Sequence, residues 1–149
     1  MSFEIKATLT QAMKTAMKQK QKERLGVIRV LLAAVKQREV DDRIEVDDSM
    51  LLAILDKQLK QRRESAKIYR EAGRDELADQ EEFEMTVIQD FLPTALTTDE
   101  LNKVITDTIA SLGASSMQDM GKVMGVLRPQ VQGKADMSEV SKLIKQQLS

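Results

Sequence analysis

The chain has 149 residues, 42% hydrophobic and 32% charged, with a net charge of −1. That length suits one domain or two small ones, and nine Met beside one Tyr, three Phe and no Trp ask for an aliphatic, plastic core. The absence of Cys excludes a disulfide framework and thiol catalysis, the absence of His removes the commonest general base and metal ligand, and no uncharged apolar run approaches the roughly 18–20 residues of a membrane span.

The opening residues, MSFEIKATLT, include Glu4 and lack an apolar h-region, so they do not read as a secretory signal. A cytoplasmic protein is the expectation. Ile5, Leu9, Met13 and Ala16/Met17 step by about four and predict a first amphipathic helix. Leu25, Ile28, Leu32 and Val35 predict a second. Residues 19–22 between them hold neither Gly nor Pro, so local sequence permits one continuous helix. Residues 40–48 are acidic and poorly periodic and read as a loop, with Asp47 or Asp48 suited to cap the next helix. That third helix shows Leu52, Leu55, Leu59, Ala66 and Tyr69 on one face, with Arg62 among them, and Gly73 closes it. Leu77, Ala78, Met85, Ile88 and Leu92 line a fourth, which brings Glu81 and Glu84 close to its apolar side. Pro93 terminates it.

Thr97 and Glu100 make a capping box for a fifth helix with Leu101, Val104, Ile105, Ile109 and Leu112 inside, closed by Gly113. Ser116 and Asp119 repeat the start signal, and Met117, Met120, Met124 and Leu127 follow at helical spacing. Gly121 and Gly125 sit beside that stripe, where a second element could approach bare backbone. Pro129 is expected to stop this sixth helix, and Gly133 to supply a turn with positive φ. Asp136 with Glu139 opens a seventh, lined by Val140, Leu143, Ile144 and Leu148. No stretch alternates as a strand would. The expectation is an all-α protein in two parts, residues 1–93 with four helices and residues 97–149 with three.

Charge runs in blocks behind the small net value. Residues 1–38 carry nine basic and two acidic side chains, and residues 75–92 carry seven acidic and none basic. Alternating blocks can pair across antiparallel helices. Arg62 and Arg63 on the third helix with Glu81 and Glu84 on the fourth are the expected structural ion pairs, setting the packing register.

Without His or Cys, a catalytic base would have to be a carboxylate, Lys or the lone Tyr69. No catalytic residue is assigned. The Asp41–Asp48 cluster lacks the spaced ligands and glycine of a Ca²⁺ loop, and no metal or other cofactor is expected. Gly133-Lys134 is not a phosphate-binding Walker loop, since the preceding Gly and the leading strand are missing. An anion site is the more concrete candidate. The N-terminus of the seventh helix offers unpaired N–H groups, with Lys134 just ahead of it and Lys122 and Arg128 on the preceding helix. Asp136 competes for those N–H groups, and the plainer alternative is a turn, a cap and solvated cations.

The run Gly121-Lys122-Val123-Met124-Gly125, followed by Gly133-Lys134-Ala135-Asp136, resembles the signature of the YqeY-like family. The same pattern is similar to the end of the tail domain in the B subunit of the Glu-tRNA(Gln)/Asp-tRNA(Asn) amidotransferase. Ile28-Arg29, Lys60-Gln61-Arg62-Arg63-Glu64-Ser65, Ala72-Gly73-Arg74 and Leu92-Pro93 also match YqeY-like proteins. The resemblance covers the whole chain for that family and the C-terminal third for the amidotransferase tail, a GatB/YqeY-type domain of three helices. Such relatives usually carry Asp where Gln21 stands, which places a helix break within residues 19–22. The resemblance implies a stand-alone, non-catalytic module that contacts tRNA weakly through Lys122, Arg128, Gly133 and Lys134. It implies as an alternative a part in carbon–nitrogen ligase chemistry, amide transfer from glutamine onto aminoacyl-tRNA. A third reading is a protein-docking module using the Met117/Met120/Met124 stripe.

Overall fold

The computed structural model describes residues 2–149. Seven helices follow one another: α1 (Glu4–Lys18), α2 (Lys22–Asp42), α3 (Asp48–Glu71), α4 (Asp75–Gln89), α5 (Thr98–Leu112), α6 (Met120–Val131) and α7 (Met137–Leu148), with a 3-10 turn at Met117–Asp119 before α6. No strand occurs among the described residues. The chain divides into two compact units, Met1–Leu92 with four helices and Pro93–Ser149 with three. Each has its own core, and the two cores share no residue.

In the first unit, Leu9 and Ala16 of α1, Val27, Ile28, Leu31 and Val35 of α2, and Leu51, Leu55 and Leu59 of α3 are buried together with Val87 and Ile88 of α4. Of the expected α2 positions, Ile28 and Val35 are buried, while Leu25 and Leu32 are half-buried at the edge and Val27 and Leu31 take core places. Met17 and Leu77, expected inside, are exposed. The break between α1 and α2 needs no glycine. Lys20 takes φ +58, its N–H donates to the Met17 carbonyl and that of Gln21 to the Ala16 carbonyl. These two bonds make the reversal that usually recruits Gly at a helix C-terminus.

The expected loop at residues 40–48 is shorter, because α2 runs on to Asp42 and ends at Arg43, with φ +54. The loop is tied down by Glu39. Its carboxylate accepts from Lys6 Nζ at 2.8 Å and from the Val46 N–H at 3.0 Å. These bonds hold the Glu39 carboxyl below its usual range, the Lys6 hydrogen bond contributing most. Val46 is thereby fully buried, a core residue contributed by the loop. Asp47 caps α3 through the Met50 N–H at 2.9 Å, while Asp48 accepts from the Ile5 N–H at 2.9 Å and fastens the start of α1.

In the second unit the Thr97 hydroxyl and the Glu100 side chain exchange hydrogen bonds with each other's backbone N–H, a complete capping box. Leu101, Ile105, Val123, Leu127, Val131, Val140, Ile144 and Leu148 form the core. The buried stripe of α6 is therefore Val123, Leu127 and Val131, with Met120 and Met124 at its edge and Met117 exposed at 44%. Pro129 does not stop α6, which continues to Val131. An internal proline removes one hydrogen bond and crowds the carbonyl four residues back, at about 3 kcal/mol. Burial of Val131 at the helix end holds the last turn in place against that cost.

Candidate nucleic-acid interface

With Val123, Leu127 and Val131 facing the core, the opposite side of α6 is fixed by the 3.6-residue period. It presents Gly121, Lys122, Gly125, Arg128 and Pro129, all exposed. Lys122 and Arg128 are six residues apart, so they project about 120° apart around the axis and about 9 Å apart along it. The two glycines fall between them. A Cβ added to Gly121 or Gly125 would meet nothing within 4 Å. Among the described residues, no neighbouring element therefore uses the bare backbone that the spacing anticipated. The result is a floor of main chain open to solvent, with a cation at either side.

Gly133 is held by the turn that follows. Gln132 takes φ −58 and ψ 128, Gly133 takes φ +79, and the Lys134 N–H donates to the Val131 carbonyl at 2.8 Å. This is a type II turn, whose third position favours glycine. Gly133 is buried, so the turn is packed as well as bent. The Lys134 carbonyl accepts from the Leu96 N–H at 2.8 Å, and Lys134 itself is half-buried. The N-terminus of α7 is supplied from within, since Asp136 accepts from the Ser138 N–H at 3.0 Å. Asp136 thus takes one of the N–H groups on which the expected anion site draws. At the start of α6, Asp119 accepts from the Ser115 and Ser116 N–H groups, which lower its carboxyl pKa, and Lys122 adds a smaller pull in the same direction.

The charged side chains expected between α3 and α4 are brought near one another in part. Arg62 Nε lies 3.6 Å from Glu84 Oε1, with the two side chains 12% and 20% exposed. Arg62 also donates to the carbonyl and side-chain oxygen of Gln58 at 3.2 and 2.6 Å, whereas its buried Nε has no hydrogen-bond acceptor. Glu81 is half-buried, and its carboxyl pKa is raised by burial first and by Glu84 second, against a lowering pull from Arg62. Arg63 is exposed. The sequence reading does not single out Arg70, which joins Asp75, Asp79 and Glu82 at 3.3, 2.9 and 3.0 Å. The signal was present, since the acidic block begins just beyond Gly73. No group of three or more acidic side chains suited to a metal ion occurs among the described residues, and no helix there is long and apolar enough to cross a membrane.

Relatives include proteins named "Altered inheritance of mitochondria protein 41, mitochondrial" from three fungi. The one from Eremothecium gossypii is 39% identical over 87 residues, 58% of this chain and 48% of its own. That from Pyrenophora tritici-repentis is 28% identical over 138 residues, 90% of this chain and 75% of its own. That from Meyerozyma guilliermondii is 36% identical over 85 residues, 57% of this chain and 44% of its own. The chain thus spans about half the length of two of the curated relatives that it matches. These relatives are mitochondrial by name, which overturns the expectation of a cytoplasmic protein. That expectation rested on a missing secretory segment, which argues against one export signal and carries no information about other compartments. Residues 6–148 match the family described as Yqey-like protein, and the chain belongs to that family.

Proposed function

We propose that the chain is a tRNA-binding module and that the outward face of α6 grips the phosphate backbone. The observation that carries this reading is the open glycine floor between Lys122 and Arg128. A sugar–phosphate strand lying across Gly121 and Gly125 reaches both cations without displacing a side chain. Gly133 shapes the turn that presents Lys134 beyond the end of α6. Similarity to the amidotransferase tail supplies the class of RNA. With one Tyr and three Phe in the chain, recognition is electrostatic and shape-directed rather than by base stacking.

Each phosphate neutralised releases counterions, so affinity falls with salt by a log–log slope of about 0.7–0.9 per contact. Titration of tRNA at several salt concentrations tests the site. Lys122→Gln, Arg128→Gln and Lys134→Gln together weaken binding and flatten the slope by about two to three units. Circular dichroism checks that the fold is kept. Superimposable curves for wild type and variant, or no binding by the wild type at low salt, refute the assignment.

A further inference from the structure

The cations of α2 fall into two sets. Arg24 pairs with Asp90 at 2.7 Å and lies 5.7 Å from the centre of the Phe91 ring, and Arg38 pairs with Asp42. Lys22, Arg29, Lys36 and, at the C-cap, Arg43 make no ion pair or side-chain hydrogen bond among the described residues. All four are exposed. Lys36 acts on Glu39 only as a minor electrostatic contribution behind Lys6 and Val46.

The unpaired set recurs every seven residues. Seven residues advance about 10.5 Å and fall about 20° short of two full turns. Lys22, Arg29 and Lys36 therefore form one slightly slanting row about 21 Å long. Beside them stand the small residues Gly26 and Ala33, both exposed, and a Cβ on Gly26 would meet nothing within 4 Å.

We infer that this row is a second nucleic-acid contact, a track for the phosphate backbone of RNA on the first unit, distinct from the α6 face. The identity of the polyanion rests on the tRNA reading above. Two other partners for a basic helix face are disfavoured by what lies beside the row. An acidic amphipathic helix needs a continuous apolar seam, and Gly26, Ala33 and Gln37 supply none at the centre of this face. A lipid surface needs large apolar anchors, and the exposed side of α2 offers Val30 and Val40 but no aromatic residue or Leu. A phosphate backbone requires only cations in reach and room to approach, and the row supplies both.

The test is tRNA titration of the full chain at several salt concentrations, with four proteins compared. These are the wild type, Lys22→Gln/Arg29→Gln/Lys36→Gln, the α6-face triple variant described above, and Lys57→Gln/Lys60→Gln/Lys67→Gln, a variant of equal net charge on α3. The row variant is expected to bind more weakly and to flatten the salt slope by about two to three units, while the α3 variant stays close to wild type. A row variant that superimposes on the wild type while the α6-face variant loses affinity overturns the track alone and leaves the tRNA reading intact. Equal loss in the row and α3 variants also overturns it, because net charge then accounts for the effect. Loss in the row variant with none in the α6-face variant supports the track and refutes the α6 site. Absence of wild-type binding overturns both.

Discussion

Neutralising Glu84 is the sharpest probe of how α3 and α4 are keyed together. Glu84→Gln removes the carboxylate 3.6 Å from Arg62 Nε and leaves a guanidinium only 12% exposed with Gln58 as its hydrogen-bond partner. An exposed pair contributes about 0–1 kcal/mol and breaking a fully buried one costs about 3–5 kcal/mol. At these exposures, with no direct hydrogen bond across the pair, a cost of about 1–2 kcal/mol follows. Glu81→Gln should act with the opposite sign. Its folded pKa is raised, so ionised Glu81 opposes folding above that pKa, and the penalty fades as pH falls toward the unfolded value. Glu81→Gln therefore stabilises at neutral pH and is neutral below about pH 4. Tyr69, the sole Tyr in a chain without Trp, lies in α3 and reports the first unit by its fluorescence during urea unfolding. Equal midpoints for Glu84→Gln and wild type, or a loss in Glu81→Gln as large as that in Glu84→Gln, would show that Arg62 is not keyed to this pair.

Three other outcomes are expected. Glu39→Gln costs about 1 kcal/mol at pH 7, and because the folded pKa of Glu39 is lowered, the difference from wild type vanishes as acid protonates the carboxylate; urea midpoints across pH 2–7 read this. Lys20→Gly stabilises by about 0.5–1 kcal/mol, since glycine relieves a left-handed residue at φ +58 and gives back part of the gain in chain entropy; a lower midpoint would refute the turn assigned there. Gly133→Ala strains a position at φ +79 and costs the second unit about 1–2 kcal/mol, measured by hydrogen exchange at the Lys134 and Ala135 amides that close the turn.

Much of this fold is legible because its signals are local. Thr97 with Glu100, Asp47 ahead of α3 and Gly73 after it act within one helical turn of themselves, and the structure uses each. What escapes is decided by packing. Pro129 breaks a local rule and is overridden by the buried Val131 beyond it. Val46 sits in an acidic stretch with no periodicity, and it is held by core packing and by the Glu39 carboxylate, seven residues away, which accepts from its N–H. The Met stripe of α6 is displaced because apolar size is not depth: the smaller Val123 and Val131 occupy the centre and the flexible Met120 and Met124 its rim. For the candidate interface, residue types and turn chemistry are readable, as Gly133 shows. That Gly121 and Gly125 face open space is not, because it depends on which helices pack elsewhere.

The two separate cores have a thermodynamic consequence. A chain with a core in each unit has no single free energy of unfolding, because heating can melt each core in its own transition. A ligand stabilises the unit that holds it by about 2.7 kcal/mol at a hundredfold excess over its Kd. With tRNA as the test ligand, a calorimetric scan separates the two proposed contacts: the α2 row predicts a rise in the transition of the first unit, and the α6 face a rise in that of the second.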